Sequence, residues 1–195
     1  MATLNVTNLN STSSTSTNCS STNLTSAGNI DLSGSWADAP AGTVIQMASA
    51  SSGPAKQTFT STTPVVITGL SVDFTPRRSD SKIIITSSLC SNITYVCSFG
   101  IFQDGSATVS TSGQTNSNEA NMNITTFTGA STTNTSLLYT VSMSVTLDSG
   151  STTQRTYDVR GTSGWGGAAY ALSINNRSAN DMAAFSTMII YEVTQ

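Results

Sequence analysis

Histidine is absent from the 195-residue chain. That gap alone removes Ser-His-Asp and Cys-His catalytic arrangements and the commonest side-chain ligand for transition metals. Charge is nearly as scarce. Asp, Glu, Lys and Arg make up 9% of residues, against about 25% in ordinary soluble domains. The basic residues are scattered, with Arg77–Arg78 the one adjacent pair, so no phosphate-neutralising surface is expected and nucleic acid is not an expected partner. The acidic residues form no obvious pair: Asp104, Asp148, Asp158 and Asp181 fall in or near turns or on different strands, which disfavours two-carboxylate glycoside hydrolysis. No apolar run approaches the ~20 residues of a membrane helix. The start, Met-Ala-Thr-Leu-Asn-Val, has neither a basic nor an apolar leader region, so neither a membrane span nor a secretory signal is expected. Cysteine is limited to Cys19, Cys90 and Cys97, without the CxxC spacing of a structural zinc site. An odd number without a leader reads as free thiols of a protein made in a reducing cytoplasm. Cys90 and Cys97 read as small apolar fillers, with a bridge between them left open should they face each other across a hairpin. No metal, cofactor or catalytic residue is expected, and the chain is not expected to be an enzyme.

What the chain has instead is hydroxyl and amide. Hydrophobic residues amount to 37%, and Ser, Thr and Asn supply the polarity that ions usually provide. Thr suits strands and Ser, Asn and Gly suit turns, whereas an exposed helical face usually carries Glu, Lys and Arg. From Thr43 onward the pattern is strand after strand. The clearest is Leu137–Leu147, where Leu137, Tyr139, Val141, Met143, Val145 and Leu147 alternate with mostly small hydroxyl residues, a period of two with one buried face. Asp148-Ser149-Gly150 then turns the chain, and Thr152–Arg160 returns with Tyr157 and Val159 on one face. Lys82–Cys90 carries Ile83, Ile84 and Ile85 in a row, which suits a strand covered on both faces. Tyr95–Gln103 places Tyr95, Cys97, Phe99 and Ile101 on one parity and ends at the turn Asp104-Gly105. Further strands are expected at Thr43–Ala48, Val65–Gly69, Asn121–Phe127 and Ala169–Asn175, and a last one at Ala183–Thr194, with Phe185, Ile189, Tyr191 and Val193 on one parity. No segment has a helical period with caps. The expected fold is all-β, an antiparallel β-sandwich of the jelly-roll type with an extended N-terminal arm.

Composition shifts near residue 40, dividing the chain into an arm, 1–40, and a β-domain, 41–195. From Ser11 to Ser26 nearly every residue is Ser, Thr or Asn, a tract that cannot bury enough apolar surface to fold alone. Leu4, Val6, Leu9, Leu24, Ile30, Leu32 and Trp36 are spaced along the arm and are the candidate attachment and assembly residues, ordered against a partner chain by backbone pairing. Gly164-Trp165-Gly166-Gly167 lacks the strand-loop-helix setting of a phosphate loop and reads as a loop with unusual backbone angles. Trp165 and Tyr170 are candidate glycan contacts on that loop; the commoner role for such aromatics is to anchor a loop to the core. Triplets such as Asn5-Val6-Thr7 and Asn92-Ile93-Thr94 arise by chance in so Asn-, Ser- and Thr-rich a chain and are not expected to be glycosylated.

Several segments carry a resemblance. Gly42-Thr43-Val44-Ile45-Gln46 is followed by Gly69-Leu70-Ser71 through Thr75-Pro76, then by Ser81-Lys82-Ile83, and the chain closes on Phe185-Ser186-Thr187-Met188-Ile189-Ile190-Tyr191-Glu192-Val193. This resembles a module of fibre-like and decoration-type virion proteins of tailed bacteriophages, notably marine and cyanobacterial ones, and covers Gly42 to Gln195. Asn23–Ile30 is similar to N-terminal stretches of phage fibres. The resemblance implies a jelly roll that associates as a homotrimer and brings no catalytic residues with it. Gly69 would suit a turn, Pro76 would stop a strand and Lys82 would open an apolar one. The implied role is a structural protein on the virion exterior, a capsid decoration protein or short fibre bound to capsid or tail proteins. A host-recognition module that binds surface glycan near Trp165 is the second expectation.

Overall fold

The computed structural model describes residues 39–93, 96–108, 125–128, 138–163, 171–176 and 183–195, all within the unit Ala37–Gln195. The strands are β1 (Val44–Ser52), β2 (Gln57–Phe59), β3 (Val65–Phe74), β4 (Lys82–Ile93), β5 (Val96–Gln103), β6 (Ser106–Ala107), β7 (Thr125–Thr128), β8 (Tyr139–Asp148), β9 (Arg155–Ser163), β10 (Leu172–Ile174) and β11 (Ser186–Val193). Every pairing is antiparallel, and the strands form two sheets. In the first, β8, β4, β11 and β1 lie side by side, and β10 and β2 extend beyond the end of β11 on the same flank of β4. In the second the order is β3, β9, β5, with β6 and β7 sharing the far flank of β5. The inward side chains of both sheets form one apolar cluster. The described residues therefore form an all-β antiparallel sandwich, as the strand pattern requires.

The strongest alternation in the sequence becomes β8. Val141, Met143 and Val145 face the core, while Thr140, Ser142, Ser144 and Thr146 are exposed. Across the cluster, Ile83, Ile85 and Leu89 of β4 meet Phe99 and Ile101 of β5 and Tyr157 and Val159 of β9, all essentially fully buried. Each such side chain stabilises the fold by about 1.5–3 kcal/mol. On the outer side of the second sheet, Phe102 is covered by the Arg160 guanidinium, 4.6 Å from its ring centre, which in turn binds Asp158 at 2.6 Å. The Asp104-Gly105 signal is a two-residue hairpin turn: both residues have positive φ, 49° and 82°, and Gln103 pairs with Ser106 across it. That is the twist a tight β-hairpin selects.

Four expectations change. The turn after β8 does not make a hairpin, because β8 pairs with β4 and β9 pairs with β3 and β5; it carries the chain from one sheet to the other. Of the three isoleucines opening β4, Ile83 and Ile85 are buried and Ile84 is half-buried on the outer face. In β11 the buried parity is Ser186, Met188, Ile190 and Glu192, whereas Ile189, Tyr191 and Val193 are only half-buried and Phe185 is 64% exposed. Register explains this: Ile190 lies opposite Ile85 of β4, whose side chain is in the core, so the larger apolar set is turned outward. Gly69, finally, is not in a turn. It sits inside β3 at φ 88°, where the register with β9 is interrupted, and a Cβ there would meet the Ser51 carbonyl oxygen at 3.0 Å. Glycine both adopts that angle and admits β1 alongside.

Candidate functional site

At one end of the first sheet a carboxylate is wholly enclosed. Glu192, near the end of β11, has no exposed surface. Its Oε2 accepts from the Arg77 N–H at 2.8 Å, and its Oε1 from the Arg78 N–H at 2.9 Å and the Ser81 hydroxyl at 2.7 Å. With its carboxamide nitrogen turned inward, Gln46 of β1 donates to Oε2 and to the Thr75 carbonyl, both at 3.1 Å. The Ser81 hydroxyl lies within reach of the Arg78 carbonyl as well, at 3.1 Å. A buried carboxylate is tolerable only when its lone pairs are filled in this way. The acceptor is thus a brace: it fixes the β3–β4 loop against the first and last strands of the domain. The Arg78 side chain turns away to Asp80, at 2.8 Å, and that guanidinium holds the Asp80 carboxyl below the usual carboxylate range.

The opposite end of the same sheet is fastened without charge. Asn175, just after β10, is fully buried and in the left-handed region at φ 66°, a conformation Asn tolerates better than most residues. Its amide nitrogen donates to the Ser52 hydroxyl and the Gly53 carbonyl, both at 2.7 Å, and its oxygen accepts from the Ser186 hydroxyl at 2.6 Å. The Ser186 oxygen in turn accepts from the Cys90 N–H at 3.0 Å. Gln57 of β2 joins through Ser52 at 2.8 Å and clasps the Thr68 peptide on both sides, accepting from its N–H at 2.8 Å and donating to its carbonyl at 3.0 Å. A side-chain amide thereby acts as a one-residue strand partner where β3 is irregular.

Between these braces, the outer face of the first sheet is divided. Met47, Tyr191 and Ile84 lie in register across β1, β11 and β4, and Met47 is 62% exposed. Further along the strands the face becomes a shallow trough of about 420 Å³ bordered by Thr86, Ser88, Ser142, Ser144 and Thr187, with Ile189 beside them. No charged or aromatic side chain lines it. Cys90 and Cys97 are unbridged and lie in different sheets. Burial pushes the Cys97 thiol up to about 12, and Cys90 is also raised by burial, so neither is an activated nucleophile. Among the described residues no group of three or more Cys, Asp and Glu could hold a metal ion, and no helix is long and apolar enough to cross a membrane.

Leu4, Val6, Leu9, Leu24, Ile30, Leu32 and Trp36, and the aromatic pair Trp165 and Tyr170, are all outside the described residues. Sequence reasoning passed over Glu192 and Asn175. A signal did exist for the first: a single acid within Met-Ile-Ile-Tyr-Glu-Val, in a chain with so few charges, is an anomaly that burial explains. No protein-family model matches the chain, and no curated protein does.

Proposed function

We propose that this chain is a structural, non-enzymatic component displayed on the outside of a tailed-phage particle, as a trimeric decoration protein or short fibre. One observation carries the reading. Segments that resemble the virion module, far apart in sequence, meet at the Glu192 brace: Gln46 from the opening segment, Thr75 and Ser81 from the middle, Glu192 from the close. A signature spent on closing a sandwich is what a building block needs, since its stability is its task. The strand order β8-β4-β11-β1 against β3-β9-β5-β7 supports reading the sandwich as a jelly roll of two interlocked Greek keys. The hydroxyl-rich trough offers no aromatic platform for a sugar ring, so the glycan-binding alternative gains nothing from it.

Gold-labelled antibody against the β-domain, applied to intact particles from a lysate that expresses this chain, should decorate their exterior. Particles made without the chain should lose the label and still contain DNA. Label absent from intact particles but present in the soluble fraction would end the proposal.

A further inference from the structure

A strand at the rim of a sheet presents unpaired N–H and C=O groups, and proteins usually blunt it by shortness, bulges, proline or lysine. Among the described residues, β1, β2, β3, β6, β7 and β8 each pair on one side only. Of these, β2, β6 and β7 have two to four residues. β1 and β3 are long, but both have interrupted registers, and they run alongside each other at one side of the sandwich. Among the described residues β8 alone is long and carries none of these devices. It pairs with β4 over ten consecutive residues without a shift. It contains no proline, lysine or arginine, and its one charge is Asp148 at the last position.

The phase of the ladder shows which groups are free. Ser149 donates to the Ser81 carbonyl at 3.0 Å in the same register, so hydrogen-bonded pairs fall on the odd-numbered residues of β8. The N–H and C=O groups of Thr140, Ser142, Ser144 and Thr146 therefore point to the rim. Cys90 agrees: an even-numbered residue of β4, it directs its N–H to Ser186 and its carbonyl to Asn175, on the flank away from β8.

The residue order names the occupant. Thr140-Val141-Ser142-Met143-Ser144-Val145-Thr146 reads the same in both directions. Turned about a two-fold axis at Met143, a second β8 sets Ser142 opposite the second copy's Ser144, Thr140 opposite its Thr146 and Val141 opposite its Val145. The free rim groups meet each other, for about eight backbone hydrogen bonds. Apolar side chains stay on the core side and hydroxyls stay outside, whereas a slip of one residue would set them against each other. The two Asp148 carboxylates end up at opposite ends of the contact. We propose that β8 is a self-pairing edge, joining the first sheets of two copies through an antiparallel β8–β8 contact centred on Met143. The inference stands on sheet geometry and residue order and does not need the phage reading. A three-fold contact elsewhere on the domain is compatible with it and, where the two axes meet at right angles, would assemble the copies in sixes.

Sedimentation equilibrium of the full chain at micromolar concentration tests this, with substitutions confined to the exposed positions Ser142 and Ser144. The wild type should form an even-numbered assembly of two or six copies. S142K/S144K sets lysines face to face across the axis and should halve that mass with the melting of the domain unchanged. S142K/S144E sets each introduced lysine opposite the second copy's introduced glutamate and should restore it, and mixing S142K/S144K with S142E/S144E should restore it too. A wild-type monomer or trimer, a lysine variant of undiminished mass, or no recovery in either complementary case would overturn the contact. A lysine variant that sediments as one copy rather than three would count against the trimer and leave the β8 contact standing.

Discussion

The two ends of the first sheet solve one problem with opposite chemistry. Both must fasten strands remote in sequence, Arg77 to Glu192 at one end and Ser52 to Asn175 at the other. At the first end every neighbour of the central group is a donor, so a carboxylate fits. At the second, donors and acceptors alternate around Asn175 and Gln57, so amides fit. Ser186 and Glu192 stand on the same strand about 20 Å apart, and both point inward. A charged brace places more at risk, because its loss leaves two part-buried backbone N–H groups without their acceptor. A neutral brace has hydroxyls that can turn to new partners. The number of donors around a buried group, more than its own identity, sets the cost of changing it.

The largest effect should arise between the braces, where the inner face of the sheet is mostly apolar. Val141 is 4% exposed in β8, and Val141→Asp places an unpaired charge among its neighbours. The cost is several kcal/mol, close to the roughly 5–15 kcal/mol that a whole domain commands. Expression should yield no cooperatively melting protein; wild-type yield with a sharp thermal transition would show that the braces alone can hold the sheet. Next comes Glu192→Ala, expected to cost roughly 3 kcal/mol by orphaning the Arg77 and Arg78 N–H groups. Asn175→Ala should cost less, roughly 2 kcal/mol, from lost hydrogen bonds and a left-handed backbone that alanine disfavours. Urea unfolding of the two variants side by side gives the ranking, and the reverse order would break the comparison.

How much of this was legible in the sequence depends on what kind of residue carries each feature. Strands were legible because period-two alternation is local: β8, β5 and β9 can be drawn from the positions of Val141, Phe99 and Tyr157. Which face turns inward was legible only where one parity is plainly apolar. In β11 both parities carry apolar residues, so the choice passes to the register with β4, which no local pattern contains. The braces were hidden for a related reason. A polar residue in a strand ordinarily marks the solvent side, and the partners of Glu192 lie more than a hundred residues away. The attachment residues of the arm and the pair Trp165 and Tyr170 had local signals, composition for one and glycine-flanked aromatics for the other, but they fall outside the described residues. The β8 edge differs again: its openness is a fact of the sheet, and only then does the palindrome around Met143 acquire meaning.

The smallest and sharpest effects should come from exchanging acid and amide between the two ends. Glu192→Gln keeps size and shape but swaps one acceptor for an NH₂ group, which must then face the Arg77 N–H or the Arg78 N–H and Ser81 hydroxyl. Donor against donor in a site with no exposed surface should cost about 1–2 kcal/mol. Gln57→Glu makes the opposite exchange. Its carboxylate can still accept from the Thr68 N–H, and the Ser52 hydroxyl can rotate to donate to it, but the bond to the Thr68 carbonyl is lost and two acceptors are left facing each other. Gln57 is half-buried and water can intervene, so this change should cost about 1 kcal/mol or less. Both near-isosteric variants can be compared by urea midpoint at neutral pH. If Gln57→Glu proved the more damaging, solvent access would be a poor guide here, and the donor count around Glu192 would not be what makes that end of the sheet intolerant of change.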